Sequence, residues 1–304
     1  MPRLCKPRAL GPGATLGVAA PAFAVDPERL EAGEDQLRRF GFRVRHREDV
    51  LARSGYLAGD DARRAAEIMA LVDDPEVDAI LCARGGYGCQ RMVGGLDAAR
   101  VRRAAKPLLG FSDVTTLLLW QRRRTGLVGF HAPMLERAEP LDDEELEALT
   151  RALAGRPLPT LRGRPVVGGR AEGRLVGGSL SLLAASLGTP WELDTRGALL
   201  LFEEIGEKPY ALDRLLHQLA AAGKLRGLVG VGVGHLVGCV DPKRDLPTAQ
   251  DVVAEILRPL GVPVVFSLPF GHRRPNLTWP FGVRAAIDGE RGEVRILEAG
   301  VRRR

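Results

Sequence analysis

Apolar runs that alternate with helix-length amphipathic segments are the feature that most constrains the fold of this chain. Residues 15–20 form a short apolar run, and Asp26 and Pro27 then supply an N-cap and a first-turn proline for a helix that ends at Gly41. Similar apolar runs recur along the first half at 79–83, 107–111 and 127–130. Solid apolar strands joined by helices are typical of a parallel sheet covered on both faces. The first half is therefore predicted to be an α/β domain.

The second half has shorter and more varied segments. An acidic helix over 142–153 leads into a stretch rich in Pro, Gly and Arg, which favours a linker. Beyond it, short strands and helices are mixed, and Asp288-Gly289 indicates a terminal hairpin. The sequence thus predicts an N-terminal α/β domain over 1–155, a linker over 156–170, and a smaller C-terminal β-rich α+β domain over 171–304.

Composition excludes several classes of protein. The 304 residues are 45% hydrophobic and 27% charged, as in soluble globular proteins, and no run of about 18 apolar residues exists to span a bilayer. The first residues lack a signal-peptide pattern, and the four cysteines contain no CxxC pair that would suggest a zinc or redox site. The net charge of +6 comes from scattered arginines with only 5% aromatic residues, which does not indicate a nucleic-acid surface. We expect a cytoplasmic protein that binds neither membranes nor nucleic acids.

Ser112 lies where a predicted buried strand meets a helix. The apolar run ends at Phe111 and a helix-length stretch begins at Asp113, so the hydroxyl is expected at the carboxyl end of the strand. Backbone N–H groups at such a turn are unsatisfied and can stabilise an oxyanion. The turn resembles the nucleophile elbow of α/β-hydrolases, although Val114 stands where GxSxG has its second glycine. Ser112 is a candidate nucleophile, and the alternative is a simple helix cap.

A second predicted strand end carries the sequence Arg84-Gly-Gly-Tyr-Gly88. Three glycines in four positions indicate a backbone that turns tightly or approaches a ligand closely. The spacing does not fit a dinucleotide-binding fingerprint. We predict that Arg84, Gly85 and Tyr87 bind substrate, with the Arg84 guanidinium on a free carboxylate. The alternative for Arg84 is a pair with a structural carboxylate.

Glu203 ends a buried strand run, where a carboxylate is costly unless it has a partner such as an imidazole or a guanidinium. The adjacent Glu204 should face the other side of the strand, in an exposed or structural position. Of the five histidines, His131, His235 and His272 each follow an apolar strand. Taken singly, a structural role is the default for each of them.

Short motifs over nearly the whole chain resemble those of the LD-carboxypeptidase family, serine peptidases that include murein tetrapeptide carboxypeptidases and microcin-immunity peptidases. They follow the family's order at Val18–Pro21, Arg84–Gly88, Gly110–Asp113, His131–Met134, Gly177–Leu180, Leu187–Pro190, Phe202–Glu203, Pro209–Arg214 and Phe270–His272. One departure is Ser179, where many relatives have Asn; it bears on local loop bonding.

The resemblance implies a Ser-Glu-His triad that falls on Ser112, Glu203 and His272. His272 would take the Ser112 proton and later protonate the leaving amine, while Glu203 would fix the imidazole tautomer. The backbone amides of Gly86 and Asp113 would form the oxyanion hole, with the Asp113 carboxylate as a helix cap. The resemblance also implies a flavodoxin-like N-terminal sheet, an active site between the two domains, no metal or other cofactor, and a homodimer.

We therefore expect a serine carboxypeptidase that hydrolyses an L-to-D peptide bond at the C-terminus of murein tetrapeptides and releases D-alanine in peptidoglycan recycling. One alternative is a microcin-type immunity peptidase that cleaves a peptide-nucleotide amide, for which Trp279 is the candidate to stack the base. Two further alternatives are a noncatalytic ligand-binding relative and a glycosidase that uses Glu203 and Glu207 as its two carboxylates.

Overall fold

The computed structural model describes residues 2–137, 139–243 and 246–302, which form fourteen strands and nine α-helices. The strands are β1 (Thr15–Ala19), β2 (Arg43–Arg45), β3 (Ala79–Cys82), β4 (Leu108–Gly110), β5 (Phe130–His131), β6 (Leu161–Arg162), β7 (Arg164–Val167), β8 (Arg170–Ser179), β9 (Ala198–Ile205), β10 (Gly230–Val237), β11 (Val264–Phe266), β12 (Trp279–Pro280), β13 (Arg284–Asp288) and β14 (Glu293–Ile296). The helices are α1 (Pro27–Arg39), α2 (Asp61–Asp73), α3 (Cys89–Met92), α4 (Ala98–Ala104), α5 (Thr115–Thr125), α6 (Asp143–Ala154), α7 (Leu180–Ala185), α8 (Pro209–Ala221) and α9 (Ala249–Leu257). None of these helices, within the described ranges, is long and apolar enough to cross a membrane.

The first of two units contains the chain through Arg156, together with Thr278–Pro280 and the segment that starts at Ala299. Its six-stranded sheet has the order β12-β5-β4-β3-β1-β2, with β1 to β5 paired in parallel and β12 antiparallel to β5. The order 2-1-3-4-5 is that of flavodoxin-like sheets. Strands β1, β3 and β4 are buried throughout, because helices cover both faces of such a sheet. The predicted flavodoxin-like α/β fold is confirmed.

The second unit contains Pro157–Leu277 and Phe281–Glu298. Its eight-stranded sheet has the order β6-β14-β13-β8-β9-β10-β11-β7. The central strands β8 to β11 pair in parallel, and the strands on either side of them pair antiparallel. This half of the fold is β-rich, as the sequence predicts, and β13 and β14 form the terminal hairpin around Asp288-Gly289.

The segment 156–170, which composition predicts to be a linker, contributes two strands to the second sheet. β6 pairs with β14 and β7 pairs with β11, and both lie at the edges of the sheet. Edge strands tolerate proline and charged residues because one side of each faces solvent, so Pro165 and the neighbouring arginines do not break them. The boundary between the two units accordingly falls after Arg156.

The helix starts follow the local capping signals. Asp26 accepts a hydrogen bond from the Arg29 N–H (3.0 Å) at the start of α1, and Pro27 is the first residue of that helix. Thr248 and Asp251 form a capping box at the start of α9. Helix α5 begins two residues later than the sequence predicts, because residues 112–114 form a 3₁₀ turn first.

Candidate active site

Ser112 occupies a strained turn between β4 and α5. Its φ is 60°, a left-handed conformation that costs a non-glycine residue about 1 kcal/mol or more. A Cβ on Gly110, the last residue of β4, would lie 2.8 Å from Val114 Cγ1, so the glycine makes room for Val114. A strained serine between a strand and a helix is the arrangement of a nucleophile elbow, and Val114 is accommodated within it.

The glycine loop after β3 packs against Ser112. A Cβ on Gly85 would lie 2.9 Å from Ser112 Cβ and 3.0 Å from Ser112 Oγ. Gly86 has a φ of 111°, and a Cβ there would lie 2.4 Å from the Phe23 ring. The backbone at these two positions therefore has room only for glycine unless a neighbour moves.

The predicted oxyanion donors are the N–H groups of Gly86 and Asp113. Neither N–H donates to an acceptor in residues 2–137, 139–243 or 246–302. An N–H group without an internal partner is available to a bound oxygen. Their role as oxyanion donors stays a prediction.

The Asp113 carboxylate caps the neighbouring helix α3. Its Oδ2 accepts a hydrogen bond from the Cys89 N–H at 2.8 Å, and the residue is 1% exposed. Burial raises the pKa of Asp113, and the hydrogen bonds from Cys89 offset part of that rise. The carboxylate is thus engaged at the start of α3, rather than at the helix that follows it in sequence.

Arg84 has the structural carboxylate partner that the sequence left open as its alternative role. Its Nη1 donates to both carboxylate oxygens of Glu136 (3.0 Å each) and to the Ala24 carbonyl (3.1 Å). The Glu136 side chain is only 4% exposed, so its charge needs this partner. The guanidinium also lies 5.6 Å from the centroid of the Phe23 ring.

Glu203 and His272 form a hydrogen-bonded pair in the second unit. Glu203 is fully buried in β9, and its Oε2 lies 2.6 Å from His272 Nδ1. Gly271 permits this approach: its φ is 115°, and a Cβ there would lie 2.9 Å from Glu203 Oε2. Asn276 Oδ1 accepts a hydrogen bond from the Gly271 N–H (2.9 Å) and so fixes the loop. A carboxylate on Nδ1 orients an imidazole and stabilises its cation.

Glu204 is buried and structural rather than exposed. It accepts hydrogen bonds from the N–H groups of Ser181 (2.7 Å), in the first turn of α7, and of Ile205 (2.8 Å). Burial raises the pKa of Glu204, and these N–H groups offset part of the rise. Ser179 takes part in the same local bonding, because its Oγ lies 3.1 Å from Ser181 Oγ.

The other two histidines that follow strands are both buried. His131 is fully buried and stacks on Trp279 with ring centroids 5.0 Å apart. Burial, together with the Arg273 charge, lowers the pKa of His235 to about 4. Across the described ranges, no group of three or more His, Cys, Asp or Glu side chains is placed to hold a metal ion.

Sequence profiles of two domains from one peptidase family match the chain. The LD-carboxypeptidase N-terminal domain matches residues 16–132, and the LD-carboxypeptidase C-terminal domain matches residues 172–287. The chain belongs to the LD-carboxypeptidase family. It is 39% identical to the probable murein peptide carboxypeptidase of Bacillus subtilis, over 97% of this chain and 95% of that protein. It is 33% identical to the murein tetrapeptide carboxypeptidase of Pseudomonas aeruginosa, over 91% of this chain and 94% of that protein.

The microcin C7 self-immunity protein MccF of Escherichia coli is similar in fold to this LD-carboxypeptidase family member. Its wild-type structure matches with a TM-score of 0.90 at 23% identity, over 98% of this chain and 100% of that one. At this identity the likeness concerns the fold alone. Trp279, predicted as a platform for a nucleobase, is fully buried against His131, so that prediction is wrong. Its ring belongs to the core because β12 pairs with β5 at the edge of the first sheet.

Sequence reasoning missed two residues that hold candidate site residues of this LD-carboxypeptidase family member in place, one in each unit. Glu136 lies 52 residues from Arg84, and no local pattern marks a pair at that separation. Asn276 accepts a hydrogen bond from the N–H of Gly271, which lies five residues earlier in the chain. An Asn in a Pro- and Gly-containing loop is a turn signal that could have pointed to it.

Proposed function

We propose that the protein is a serine carboxypeptidase that hydrolyses the L-to-D peptide bond at the C-terminus of murein tetrapeptides and releases D-alanine for peptidoglycan recycling. The observation that carries the proposal is the strained Ser112, with its φ of 60°, between a buried strand and a helix. Membership in the LD-carboxypeptidase family and the likeness to two proteins named for murein peptides support the substrate class.

In the proposed reaction, Ser112 Oγ attacks the scissile carbonyl carbon while His272 Nε2 takes the hydroxyl proton. The proton then passes to the leaving nitrogen of D-alanine, and water hydrolyses the resulting ester on Ser112. Glu203 holds the other imidazole proton on Nδ1, which keeps Nε2 basic in the resting enzyme. The mechanism requires Ser112 and the Glu203–His272 pair to act on the same substrate.

The negative oxygen of the tetrahedral intermediate is assigned to the N–H groups of Gly86 and Asp113. In serine hydrolases, one oxyanion-hole donor of this kind raises kcat by a factor of about 10²–10³. Gly85 and Tyr87 of the same loop are the proposed substrate contacts. Arg84 supports the loop through Glu136, and this pair makes it a positioning residue in the proposal.

The proposed role also implies where and in what state the protein works. Recycled murein peptides are processed in the cytoplasm, which is the proposed location, and the proposed assembly is a homodimer. Equilibrium sedimentation of the purified chain tests the assembly, with a mass of twice 32.8 kDa as the expected result. A monomer at working enzyme concentration would refute that part.

The activity is tested with three defined peptides: a murein tetrapeptide that ends in D-alanine, its C-terminal amide, and its L-alanine epimer. Mass spectrometry should show the tripeptide product, and so loss of the C-terminal residue, from the first peptide only, because an exopeptidase of this specificity recognises a free carboxylate on a D-residue. Equal cleavage of the acid and the amide, or no release from the first peptide, would refute the proposed function.

A further inference from the structure

Three loops meet beside the Ser112 turn and present aromatic rings to solvent. The Phe23 N–H donates to the Gly85 carbonyl (3.4 Å), and the Ala24 N–H donates to the Tyr56 carbonyl (2.9 Å). These bonds tie the loop after β1 to the glycine loop after β3 and to the loop before α2. The backbones that carry these rings are thus tied to the loop that packs against Ser112.

Phe23, Tyr56 and Tyr87 form a surface that we call the aromatic shelf. The rings of Phe23 and Tyr56 meet edge to face with centroids 5.3 Å apart, and those of Tyr56 and Tyr87 are tilted with centroids 6.2 Å apart. Tyr56 is 56% exposed and Tyr87 is 43% exposed. The chain has only three tyrosines, so two exposed side by side next to the nucleophile turn indicate a surface that binds a ligand.

A cation borders the aromatic shelf. Arg91, in α3, donates through Nε to Asp61 Oδ2 (3.1 Å), and 45% of its side chain is exposed. The Arg91 N–H also donates to the carbonyl of Gly88 (3.1 Å), the residue that follows Tyr87, so the backbone of Arg91 lies next to the loop that carries Tyr87. Asp61 also pairs with the buried Arg64, so this one carboxylate is shared by two guanidinium groups.

Within the described parts of the chain, the Nη atoms of Arg91 donate no hydrogen bond, since its one side-chain hydrogen bond runs from Nε. A guanidinium that is anchored at Nε and open at its two Nη atoms has the geometry to pair with a carboxylate. Arg91 therefore offers an anion-binding group at the border of the aromatic shelf.

The aromatic shelf lies close to the nucleophile in space, because the glycine loop that carries Tyr87 packs against Ser112. Gly85 contacts Ser112, and the Cα of Tyr87 lies within about 7 Å of the Cα of Gly85, because two residues span no more than that. In the proposed reaction the leaving D-alanine departs first, and the acyl part stays bonded to Ser112 as an ester. A surface fixed beside Ser112 is therefore next to the acyl part throughout turnover.

We propose that the aromatic shelf and Arg91 bind the acyl part of the substrate through a residue that has an aliphatic stem and a free carboxylate. The stem packs on the rings of Tyr56 and Tyr87, and the carboxylate pairs with the open Nη atoms of Arg91. This inference rests on the proposed function, because it takes the acyl group to be carried by Ser112.

The test compares two tetrapeptides that differ only in this acyl carboxylate, which is free in one and amidated in the other. Arg91→Gln should raise the KM for the free acid by about 10–100-fold, remove the preference over the amide, and leave kcat unchanged. Tyr87→Ala should raise the KM for both peptides, and Tyr87→Phe should restore it. An equal change for both peptides in Arg91→Gln would overturn the assignment of the carboxylate.

Arg100→Gln is the matched control. Arg100 makes a similarly exposed ion pair with Asp73 at the far end of α2, about 18 Å from Asp61 along the helix axis. This variant should keep the KM values of the wild type for both peptides. If Arg91→Gln behaves like Arg100→Gln in an active enzyme, the shelf assignment fails and the proposed function stands.

Binding provides a second readout that does not depend on turnover. Calorimetric titration of the tripeptide product, with its acyl side-chain carboxylate free or amidated, into Ser112→Ala should show tighter binding of the free acid. Adding Arg91→Gln should abolish the difference. If wild-type enzyme releases no D-alanine from either tetrapeptide, the proposed function fails, and the titration still decides whether the aromatic shelf and Arg91 bind the acyl carboxylate.

Discussion

Gly85→Ala should displace the nucleophile and leave the fold intact. The new Cβ would lie 2.9 Å from Ser112 Cβ and 3.0 Å from Ser112 Oγ, whereas carbon atoms in contact settle at about 3.5–4.0 Å. The Ser112 side chain therefore has to move by about 0.5–1 Å. The φ of Gly85 lies outside the left-handed region, so the backbone at this position accepts alanine without strain.

A displacement of about 1 Å at a reacting group costs about 10²-fold in rate, or about 2.7 kcal/mol of transition-state stabilisation. The crowding itself should lower the free energy of unfolding by about 1–3 kcal/mol. Both are measured on one preparation, as kcat for D-alanine release from the tetrapeptide and as thermal unfolding by circular dichroism. Gly94→Ala is the control, because nothing lies within 4 Å of the Cβ it would add. A folded Gly85→Ala enzyme with kcat within threefold of the wild type would refute the placement of Ser112 as the nucleophile against this loop.

Three further substitutions probe separate parts of the molecule. Glu203→Gln keeps the side-chain volume but should lower kcat by about 10²–10⁴-fold, because an amide cannot stabilise the imidazolium and favours the wrong tautomer; near-normal steady-state kcat would contradict the role of the carboxylate. Arg84→Gln removes the nearer cation of the buried Glu136, leaves it only the longer contact with Arg29 (3.9 Å), and should lower the free energy of unfolding by about 1–3 kcal/mol, while the preference for a C-terminal acid over its amide persists. Loss of that preference would instead assign Arg84 to the substrate. Hydrogen bonds from Thr248 lower the pKa of Asp251, so the stability that this carboxylate provides is present above its unfolded pKa of about 3.9 and is lost as the pH falls through its lower folded pKa. Calorimetry should find that Asp251→Asn lowers Tm at pH 7 and that the difference closes on acidification; a difference that widens in acid would be the opposite of this expectation.

Local sequence patterns predict the parts of this fold that depend on near neighbours. The apolar runs of β1, β3 and β4 are recognisable because a strand covered on both faces is apolar along most of its length. Helix starts at Asp26 and Thr248 are recognisable because capping acts within three residues. The turn at Ser112 is predicted for the same reason, since the strand ends and the helix begins within a few residues of it.

Features that depend on distant partners were not predicted from local patterns. β6 and β7 lie in a segment whose Pro, Gly and Arg content resembles a linker, and their pairing with β14 and β11 decides their conformation. The role of Arg84 depends on Glu136, and the burial of Trp279 depends on pairing between β12 and β5. In each case the partner lies dozens of residues or more away, beyond the reach of periodicity or turn signals.

Labelling with a fluorophosphonate tests most directly whether Ser112 is the nucleophile. The wild-type protein is treated until its activity is lost, digested, and mapped by mass spectrometry, in parallel with Ser112→Ala. We predict a single adduct on Ser112, a loss of D-alanine release in proportion to the labelled fraction, and neither adduct nor activity in Ser112→Ala. An inactivating adduct on a different serine, or undiminished D-alanine release by Ser112→Ala, would contradict the proposed mechanism.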